Sequence, residues 1–206
     1  MTRVKICGIT REEDLSAAAQ LGADAIGLVF YAKSPRYVAA SRAAELLCKL
    51  PPFVTSVGLF VNAPAEEVRA VLAEARVDLL QFHGDEEPEY CASFGLPYLK
   101  AVRVKPGVDL VQYAARHAGA RGLLLDAFVE GIPGGTGLSF DWSLIPGNLP
   151  LPVVLSGGLD PDNVRQAVER VKPWAVDVSS GVEAAKGIKD AAKIAAFMQG
   201  VRDATV

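Results

Sequence analysis

Short apolar segments alternate with amphipathic segments along the whole chain. Several of the apolar segments have almost no polar position, which is typical of parallel strands covered on both faces. The pattern predicts eight strands, at residues 4–7, 25–30, 56–61, 79–83, 98–104, 123–128, 153–155 and 175–178.

The segments between these strands carry signals for helices. Thr10 and Glu13 have the spacing of a capping box, and Gly22 is a predicted C-terminal stop for the helix that follows them. Proline near a helix start and a capping Ser or Asp mark the beginnings of other helices. We predict such starts at Ser41, Pro64 and Asp160.

Eight repeats of strand and helix in 206 residues predict an α/β fold, a single-domain (β/α)8 TIM barrel spanning residues 1–206. A doubly wound open sheet uses the same units and is the structural alternative. No linker or change in composition divides the chain. The Gly-rich stretch at residues 132–137 is interpreted as a loop between a strand and a helix.

Composition and charge limit the classes of function. Lys and Arg number 21 against 24 Asp and Glu, a formal net charge of −3, so we expect no nucleic-acid partner. No apolar run approaches the roughly 18 residues of a membrane span, and residues 1–10 lack the features of a signal peptide. These observations predict a soluble, cytoplasmic protein, a monomer or homodimer, with no membrane partner.

The three cysteines give no sign of a disulfide framework or of a zinc site. Cys7, Cys48 and Cys91 are widely separated and show no CxxC spacing. We expect Cys48 and Cys91 to be inert thiols in helical segments, and we predict no metal ligand set.

Reactive residues lie where the predicted strands end. Cys7 ends the first strand, Gln81 and His83 end the fourth, Asp126 lies in the sixth, and Asp177 lies in the eighth. Chemistry in a (β/α)8 barrel takes place at the carboxyl ends of its strands. Because strand side chains alternate, Gln81 and His83 share one face. The sequence therefore predicts a site at this end of the barrel.

Lys5 shares a face with Cys7 and would point into the barrel with it. A buried charge is costly unless it is paired. We therefore expect an ion pair between Lys5 and Asp177, which lies on the neighbouring last strand.

The last two strands lead into glycine-rich turns, with Gly157 and Gly158 after the seventh strand and Ser180 and Gly181 after the eighth. Loops after these strands commonly bind phosphate in barrels of this kind. Glycine lets backbone N–H groups approach phosphate oxygens, and a following helix N-terminus favours the negative charge. Neither turn has the GxxxxGK[ST] pattern of a nucleotide-binding loop. We predict a phosphate site, with tight turns alone as the structural alternative.

Seven motifs occur in order along the chain, at residues 5–10, 34–36, 81–84, 125–126, 134–137 with Phe140 and Trp142, 155–159 and 177–183. Together they resemble the phosphoribosylanthranilate isomerase family of tryptophan biosynthesis. The resemblance extends from residue 4 to about residue 190. Phe82 and Ala127 stand where the family commonly has Leu and Ser.

The resemblance implies an Amadori rearrangement of N-(5-phosphoribosyl)anthranilate to 1-(2-carboxyphenylamino)-1-deoxyribulose 5-phosphate, without cofactor or metal. An acid must protonate the furanose ring oxygen, and a base must remove the proton from C2 of the sugar. The resemblance assigns Asp126 as the acid and Cys7 as the base. Each must be held in its reactive protonation state, and a cation near Cys7 would favour the thiolate.

The resemblance also implies substrate-binding residues. Arg36 would hold the anthranilate carboxylate, for which a planar guanidinium is suited. Gln81, His83 and Asp177 would contact the substrate, and residues 134–137 would form a lid that excludes water. Each residue also has a structural interpretation, such as a packed thiol for Cys7 and a capping carboxylate for Asp126.

Two other classes of function stay open. The first is another phosphosugar barrel enzyme. A histidine-pathway isomerase would carry Asp in place of Cys7, and indoleglycerol-phosphate synthase would have a catalytic Lys–Glu arrangement. Ribulose-phosphate epimerase would have several metal-binding histidines, whereas this chain has only His83 and His117. The second is a non-catalytic barrel that binds a phosphorylated metabolite and would keep its affinity after Cys7→Ala.

Overall fold

Eight parallel strands close into a barrel in the computed structural model, which describes residues 1–127 and 141–204. Each strand pairs with the next in chain order, and the last strand pairs with the first. The predicted (β/α)8 barrel is confirmed, and the open-sheet alternative is wrong because the sheet has closed. The strands are β1 (Arg3–Cys7), β2 (Ala25–Val29), β3 (Thr55–Phe60), β4 (Leu79–Phe82), β5 (Tyr98–Val104), β6 (Gly122–Ala127), β7 (Val153–Leu155) and β8 (Ala175–Val178).

Seven α-helices occur in the part of the chain that the structure describes. They are α1 (Glu12–Gln20), α2 (Ala40–Leu47), α3 (Ala65–Glu74), α4 (Pro88–Ala92), α5 (Leu110–Arg116), α6 (Val164–Val171) and α7 (Ala191–Asp203). Between β6 and β7 the described residues contain a 3₁₀ helix at Trp142–Leu144, and the predicted loop at residues 132–137 lies outside the described residues.

One addition to the repeat follows β8 and was not predicted. A 3₁₀ helix at Ser180–Val182 leads into an antiparallel hairpin of β9 (Glu183–Ala185) and β10 (Ile188–Lys189). The hairpin precedes α7 and brings two charged side chains towards the carboxyl end of the barrel, as described below.

The predicted helix ends agree with the structure in part. Gly22 ends α1 with a φ of +95°, as expected for a C-terminal glycine. The capping box at Thr10 is wrong, because its hydroxyl donates to the carbonyl of Gly187 and Arg11 is the residue before α1. Asp160 accepts the backbone N–H groups of residues 162 and 163, but α6 begins only at Val164.

Side chains inside the barrel form layers beneath its carboxyl end. Leu99, Ala101, Leu124 and Val154 make an apolar layer. Lys5 and Asp177 are paired inside the barrel at the β1–β8 junction, and Cys7 packs with Val29 and Leu59 in a separate apolar cluster. The larger apolar core lies outside the barrel, where the other face of each strand packs against the helices. Within the described residues, no helix has the length and apolar character required to cross a membrane.

Candidate active site

A cavity with about 900 Å³ of empty space, partly open to solvent, lies at the carboxyl ends of the barrel strands. An apolar part of its lining comes from Val29, Leu59 and Val61. All but one of the residues predicted for the site line it, namely Cys7, Arg36, Gln81, His83, Asp126, Gly157, Gly158, Asp177 and Ser180. The fold therefore brings into one cavity residues that are up to 173 positions apart, since Cys7 and Ser180 both line it.

Gly181 is the predicted site residue that does not line the cavity. A Cβ on Gly181 would lie 2.0 Å from the carbonyl oxygen of Leu159, so only glycine allows the loop after β8 to pack this closely on the loop after β7. Gly157 has a φ of +84°, and a Cβ there would lie 2.5 Å from the backbone nitrogen of Ala127. Gly181 therefore allows the two loops to meet, and Gly157 allows the loop after β7 to approach the end of β6.

Cys7 lies at the end of β1 beside a buried ion pair. Lys5 Nζ is 2.9 Å from Asp177 Oδ1, which confirms the predicted pair. Burial works against the charge on Lys5, but Asp177 and Cys7 outweigh it and raise the pKa of Lys5. Burial also raises the pKa of the Cys7 thiol, since the attraction of Lys5 is too weak to offset the loss of solvent. The expected cation is present, but burial outweighs its effect and keeps the thiol protonated at neutral pH.

Gly27 on β2 gives the Cys7 sulfur its space. A Cβ on Gly27 would lie 2.7 Å from Cys7 Sγ and 3.2 Å from Lys5 Cε. Both distances are shorter than the normal contact between such atoms. The position of the thiol therefore depends on a residue without a side chain on the adjacent strand.

Asp126 is the last member of a line of three buried side chains. His83 Nε2 lies 2.9 Å from Asp126 Oδ2, and Gln81 Nε2 donates to His83 Nδ1 over 3.0 Å. Asp126 Oδ1 accepts the backbone N–H of Ala127 over 2.9 Å. Because the Gln81 amide nitrogen can only donate, Nδ1 accepts, and the proton of the neutral ring is on Nε2 facing the carboxylate.

The loop that carries His83 is fixed from outside the barrel. Lys100 is fully buried, and its Nζ donates to the carbonyl of Gly84 over 2.6 Å and to Glu86 Oε2 over 3.1 Å. Glu86 in turn accepts the backbone N–H groups of Asn62 and Gly84. These hydrogen bonds around a buried charge pair restrain the loop.

Arg36 is held by a carboxylate that the sequence analysis did not assign to the site. Its Nε and Nη2 donate to Glu183 Oε1 and Oε2 over 2.7 and 2.9 Å. Lys189 Nζ also lies 2.9 Å from Glu183 Oε1. Burial alone would raise the pKa of Glu183, but the hydrogen bonds from Arg36 and the charge of Lys189 lower it below its ordinary value. Glu183 therefore stays ionised and sets the direction of the guanidinium.

Glu183 had a weak signal in the sequence, and Lys189 had none. Glu183 ends the motif at residues 177–183, whereas Lys189 belongs to the hairpin that was not predicted. Within residues 1–127 and 141–204, no group of three or more His, Cys, Asp and Glu side chains is placed to hold a metal ion.

The barrel is closed, and its carboxyl end places a thiol, a carboxyl–histidine pair and a fixed arginine around one cavity. These features define a class of protein, the barrel enzymes that transfer protons. Residues 4–200 match the family model for N-(5'phosphoribosyl)anthranilate (PRA) isomerase. The chain belongs to the N-(5'-phosphoribosyl)anthranilate isomerase family. The predicted function, isomerisation of this compound in tryptophan biosynthesis, is confirmed at the level of the family.

Relatives and solved structures agree with this family. The N-(5'-phosphoribosyl)anthranilate isomerase of Pseudomonas aeruginosa (strain LESB58) is 65% identical over 200 residues, which cover 97% of this chain and 95% of the relative. That of Nitrosospira multiformis is 61% identical over 199 residues, covering 97% and 96%. The crystal structure of the Thermotoga maritima enzyme is 41% identical with a TM-score of 0.89 and covers 98% of this chain and 100% of that chain.

One solved family structure holds a ligand. It is phosphoribosyl anthranilate isomerase in complex with reduced 1-(o-carboxyphenylamino)-1-deoxyribulose 5-phosphate. That chain is 41% identical to this one, with a TM-score of 0.85, and the match covers 98% of this chain and 100% of that chain.

Proposed function

We propose that this chain converts N-(5'-phosphoribosyl)anthranilate to 1-(2-carboxyphenylamino)-1-deoxyribulose 5-phosphate, with Asp126 as general acid and Cys7 as general base. The observation that carries the proposal is that both groups line one cavity, Cys7 from β1 and Asp126 from β6. The ligand of the solved family structure is a reduced form of this product, which supports the same substrate class here.

The reaction requires two proton transfers at different atoms of the sugar. Asp126 gives a proton to the furanose ring oxygen as the bond from C1 to that oxygen breaks, and the nitrogen lone pair forms an iminium at C1. Cys7 then removes the proton from C2, and the electrons of that bond form the C1–C2 double bond of an enolamine. Tautomerisation moves a proton from the C2 hydroxyl to C1 and gives the ketone. Solvent exchange returns a proton to Asp126 and removes one from Cys7.

The buried thiol acts as a base in spite of its raised pKa, because its surroundings are cationic. Lys5 and Lys189 both favour the thiolate, although burial and the charge of Asp177 outweigh them. The iminium formed at C1 acidifies the neighbouring C2 proton, so the base acts on an activated carbon. We therefore expect the thiolate to be a minor form that increases as the pH rises.

The rest of the cavity accounts for the two ends of the substrate. The Nε and Nη2 groups of Arg36 are taken by Glu183, which leaves the N–H bonds of Nη1 for the anthranilate carboxylate. The aromatic ring fits the apolar lining that includes Val29 and Leu59. The phosphate is assigned to Gly157, Gly158, Ser180 and Gly181, with Gly181 acting through the packing of its loop rather than by contact. Asp177 contributes through Lys5.

The test follows the fluorescence of the substrate, which is made in situ from anthranilate and phosphoribosyl pyrophosphate. Wild type is compared with Cys7→Ala, Asp126→Asn and the control Cys48→Ser, which changes an exposed thiol. We expect each site variant to lose about 10²- to 10⁴-fold in kcat, the usual contribution of a general acid or base, and the control to lose nothing. Absence of turnover by folded wild type would overturn the proposed reaction, and a site variant with wild-type kcat would remove that residue from its role.

We also propose a cytoplasmic location and a monomeric or homodimeric state. A solved family structure from Thermotoga maritima is described as a monomer generated from a dimeric enzyme, which supports this range of states. Light scattering of the purified chain tests the oligomeric state, and cell fractionation tests the location. A tetramer or a membrane-bound fraction would contradict the proposal.

A further inference from the structure

One buried ammonium group lies between the two parts of the site that are assigned to the ends of the substrate. The side chain of Lys189, on β10, is 1% exposed. Its Nζ lies 2.9 Å from Glu183 Oε1, 3.1 Å from the carbonyl oxygen of Ser179 and 3.4 Å from Ser179 Oγ. An ammonium group has three N–H bonds, and these three acceptors account for all of them.

The hairpin that carries Lys189 is itself fixed to neighbouring segments. The backbone N–H of Lys189 donates to Asp14 Oδ2 on α1 over 3.0 Å. In the turn of the hairpin, the carbonyl of Gly187 accepts from Thr10, and a Cβ on Gly187 would lie 3.1 Å from the carbonyl oxygen of Pro35. The hairpin therefore packs against the loops that follow β1 and β2, and these contacts restrain the backbone that carries the ammonium.

On one side, Lys189 acts on the guanidinium of Arg36. Glu183 Oε1 accepts from both Lys189 Nζ and Arg36 Nε, and Glu183 Oε2 accepts from Arg36 Nη2. Hydrogen bonds between charged groups are the strong ones, so a carboxylate that also bonds to a fixed ammonium is restrained more than one held by Arg36 alone. Lys189 restrains Glu183, and Glu183 sets the direction of Arg36.

On its other side, Lys189 acts on a peptide group of the loop after β8. The carbonyl of Ser179 and the N–H of Ser180 belong to the same peptide, and Ser180 is one of the residues assigned to the phosphate. A trans peptide is planar, so its N–H points away from its carbonyl, and the described residues contain no cis peptide. The N–H of Val182 also reaches this carbonyl, but over a long distance of 3.4 Å. Lys189 therefore sets the direction of the Ser180 N–H.

We propose that Lys189 is a positioning residue that orients donors for both anionic ends of the substrate, Arg36 for the carboxylate and the Ser180 N–H for the phosphate. The inference rests on the proposed function, which assigns these two ends. A substrate held at both ends needs both donors in place at once, and donors that are ordered beforehand reduce the cost of binding. Lys189 is not one of the described residues that line the cavity, so it acts through Glu183 and Ser179.

The experiment separates the two ends of the substrate with three ligands. The first is the reduced product that is bound in the solved family structure. The other two are the same molecule without its phosphate and the same molecule without its carboxyl group. Titration calorimetry gives Kd for each ligand, and the increase in Kd on removing a group measures the contribution of that group. Turnover is not the readout, because Lys189 also favours the thiolate of Cys7.

Single variants, each shown to be folded by circular dichroism, are compared with wild type. Glu183→Gln should reduce the contribution of the carboxyl group about tenfold without reducing that of the phosphate. Lys189→Met should reduce both contributions, each by about 3- to 10-fold, the usual value of one hydrogen bond. The control Lys186→Met removes an exposed lysine from the same hairpin and should reduce neither contribution.

The double variant Glu183→Gln/Lys189→Met tests whether the effect is one of charge alone. It has the net charge of wild type and leaves no buried carboxylate without its ammonium, so it also serves if Lys189→Met does not fold. Its phosphate contribution should be about 3- to 10-fold below that of Glu183→Gln. Equal phosphate contributions in these two variants would overturn the proposal.

Two further results would also overturn it. One is a wild-type contribution of either group in folded Lys189→Met, and the other is an equal loss in Lys186→Met. Failure of the proposed function gives a different result, since wild type itself would then bind all three ligands with the same Kd.

Discussion

His117 makes the stability of the fold depend on pH in a way that one substitution can isolate. It lies at the end of α5 with its ring 4.8 Å from that of Tyr113, and its Nδ1 is buried without a hydrogen-bond partner among the described residues. Burial lowers the pKa of His117 from 6.5 to about 4, and the nearby charges of Lys100 and Arg116 act in the same direction. The folded protein therefore holds this ring in its neutral form.

The sign and size of the effect follow from the two pKa values. The folded pKa is below the unfolded one, so the contribution of His117 to stability is present above pH 6.5 and is lost as the pH falls towards 4. Between pH 7.5 and pH 4.5, the unfolded state gains about 2 to 3 kcal/mol more than the folded state from protonation of this ring. This is a large share of the stability of a typical domain.

The assay is urea unfolding of wild type and His117→Phe at pH 7.5 and 4.5. Phe keeps a ring beside Tyr113 and removes both the titration and the unpaired nitrogen. The difference in the free energy of unfolding between the two proteins should shift by about 2 to 3 kcal/mol in favour of the variant as the pH is lowered. Carboxylates titrate in both proteins and cancel from the difference. Parallel pH dependence in the two proteins would refute the reasoning.

Three further predictions concern the site. Gly27→Ala should retain the fold by circular dichroism but lose kcat, because its Cβ would lie 2.7 Å from Cys7 Sγ; wild-type kcat would mean that the thiol can move without cost. Glu183→Gln should raise KM about tenfold, equivalent to about 1.4 kcal/mol, with kcat unchanged, because Arg36 loses its ionic partner. Equal KM values for wild type and this variant in steady-state kinetics would contradict the prediction. The rate of alkylation of Cys7 by iodoacetamide, measured in a Cys48→Ser background, should increase about tenfold per pH unit up to at least pH 9, since burial raises the pKa of the thiol. A plateau of that rate below pH 8.5 would show that Lys5 outweighs burial.

The strands could be predicted from the sequence because a parallel barrel buries both faces of each strand. The predicted limits of the strands that fall on described residues differ from the observed ones by one residue at most, and residues 98–104, 153–155 and 175–178 agree fully. The predicted end of the sixth strand, at residue 128, lies outside the described residues. The pairing of Lys5 with Asp177 also followed from local rules, since alternation fixed their direction and the cost of a lone buried charge required a partner.

The contacts that the sequence did not predict depend on the closed barrel. Thr10 has the residue type and spacing of a helix cap, but its hydroxyl is used by Gly187, which lies 177 residues further along the chain. The hydrogen bond between His83, which follows β4, and Asp126 on β6 joins two separate strand ends, and alternation along one strand gives no information about it. Glu183 reaches Arg36 only because a hairpin follows β8.

The ion pair between Lys5 and Asp177 also determines how much of the chain must be synthesised before the site can form. These residues are 172 positions apart and lie on the first and last strands of the barrel. A growing chain makes Cys7 at the start and Asp126 later, but until β8 pairs with β1 the buried ammonium has no carboxylate and the cavity has no loop after the last strand. A nascent or shortened chain that ends before residue 175 therefore carries both proposed proton-transfer groups without a complete site, and we expect activity only from chains that include β8.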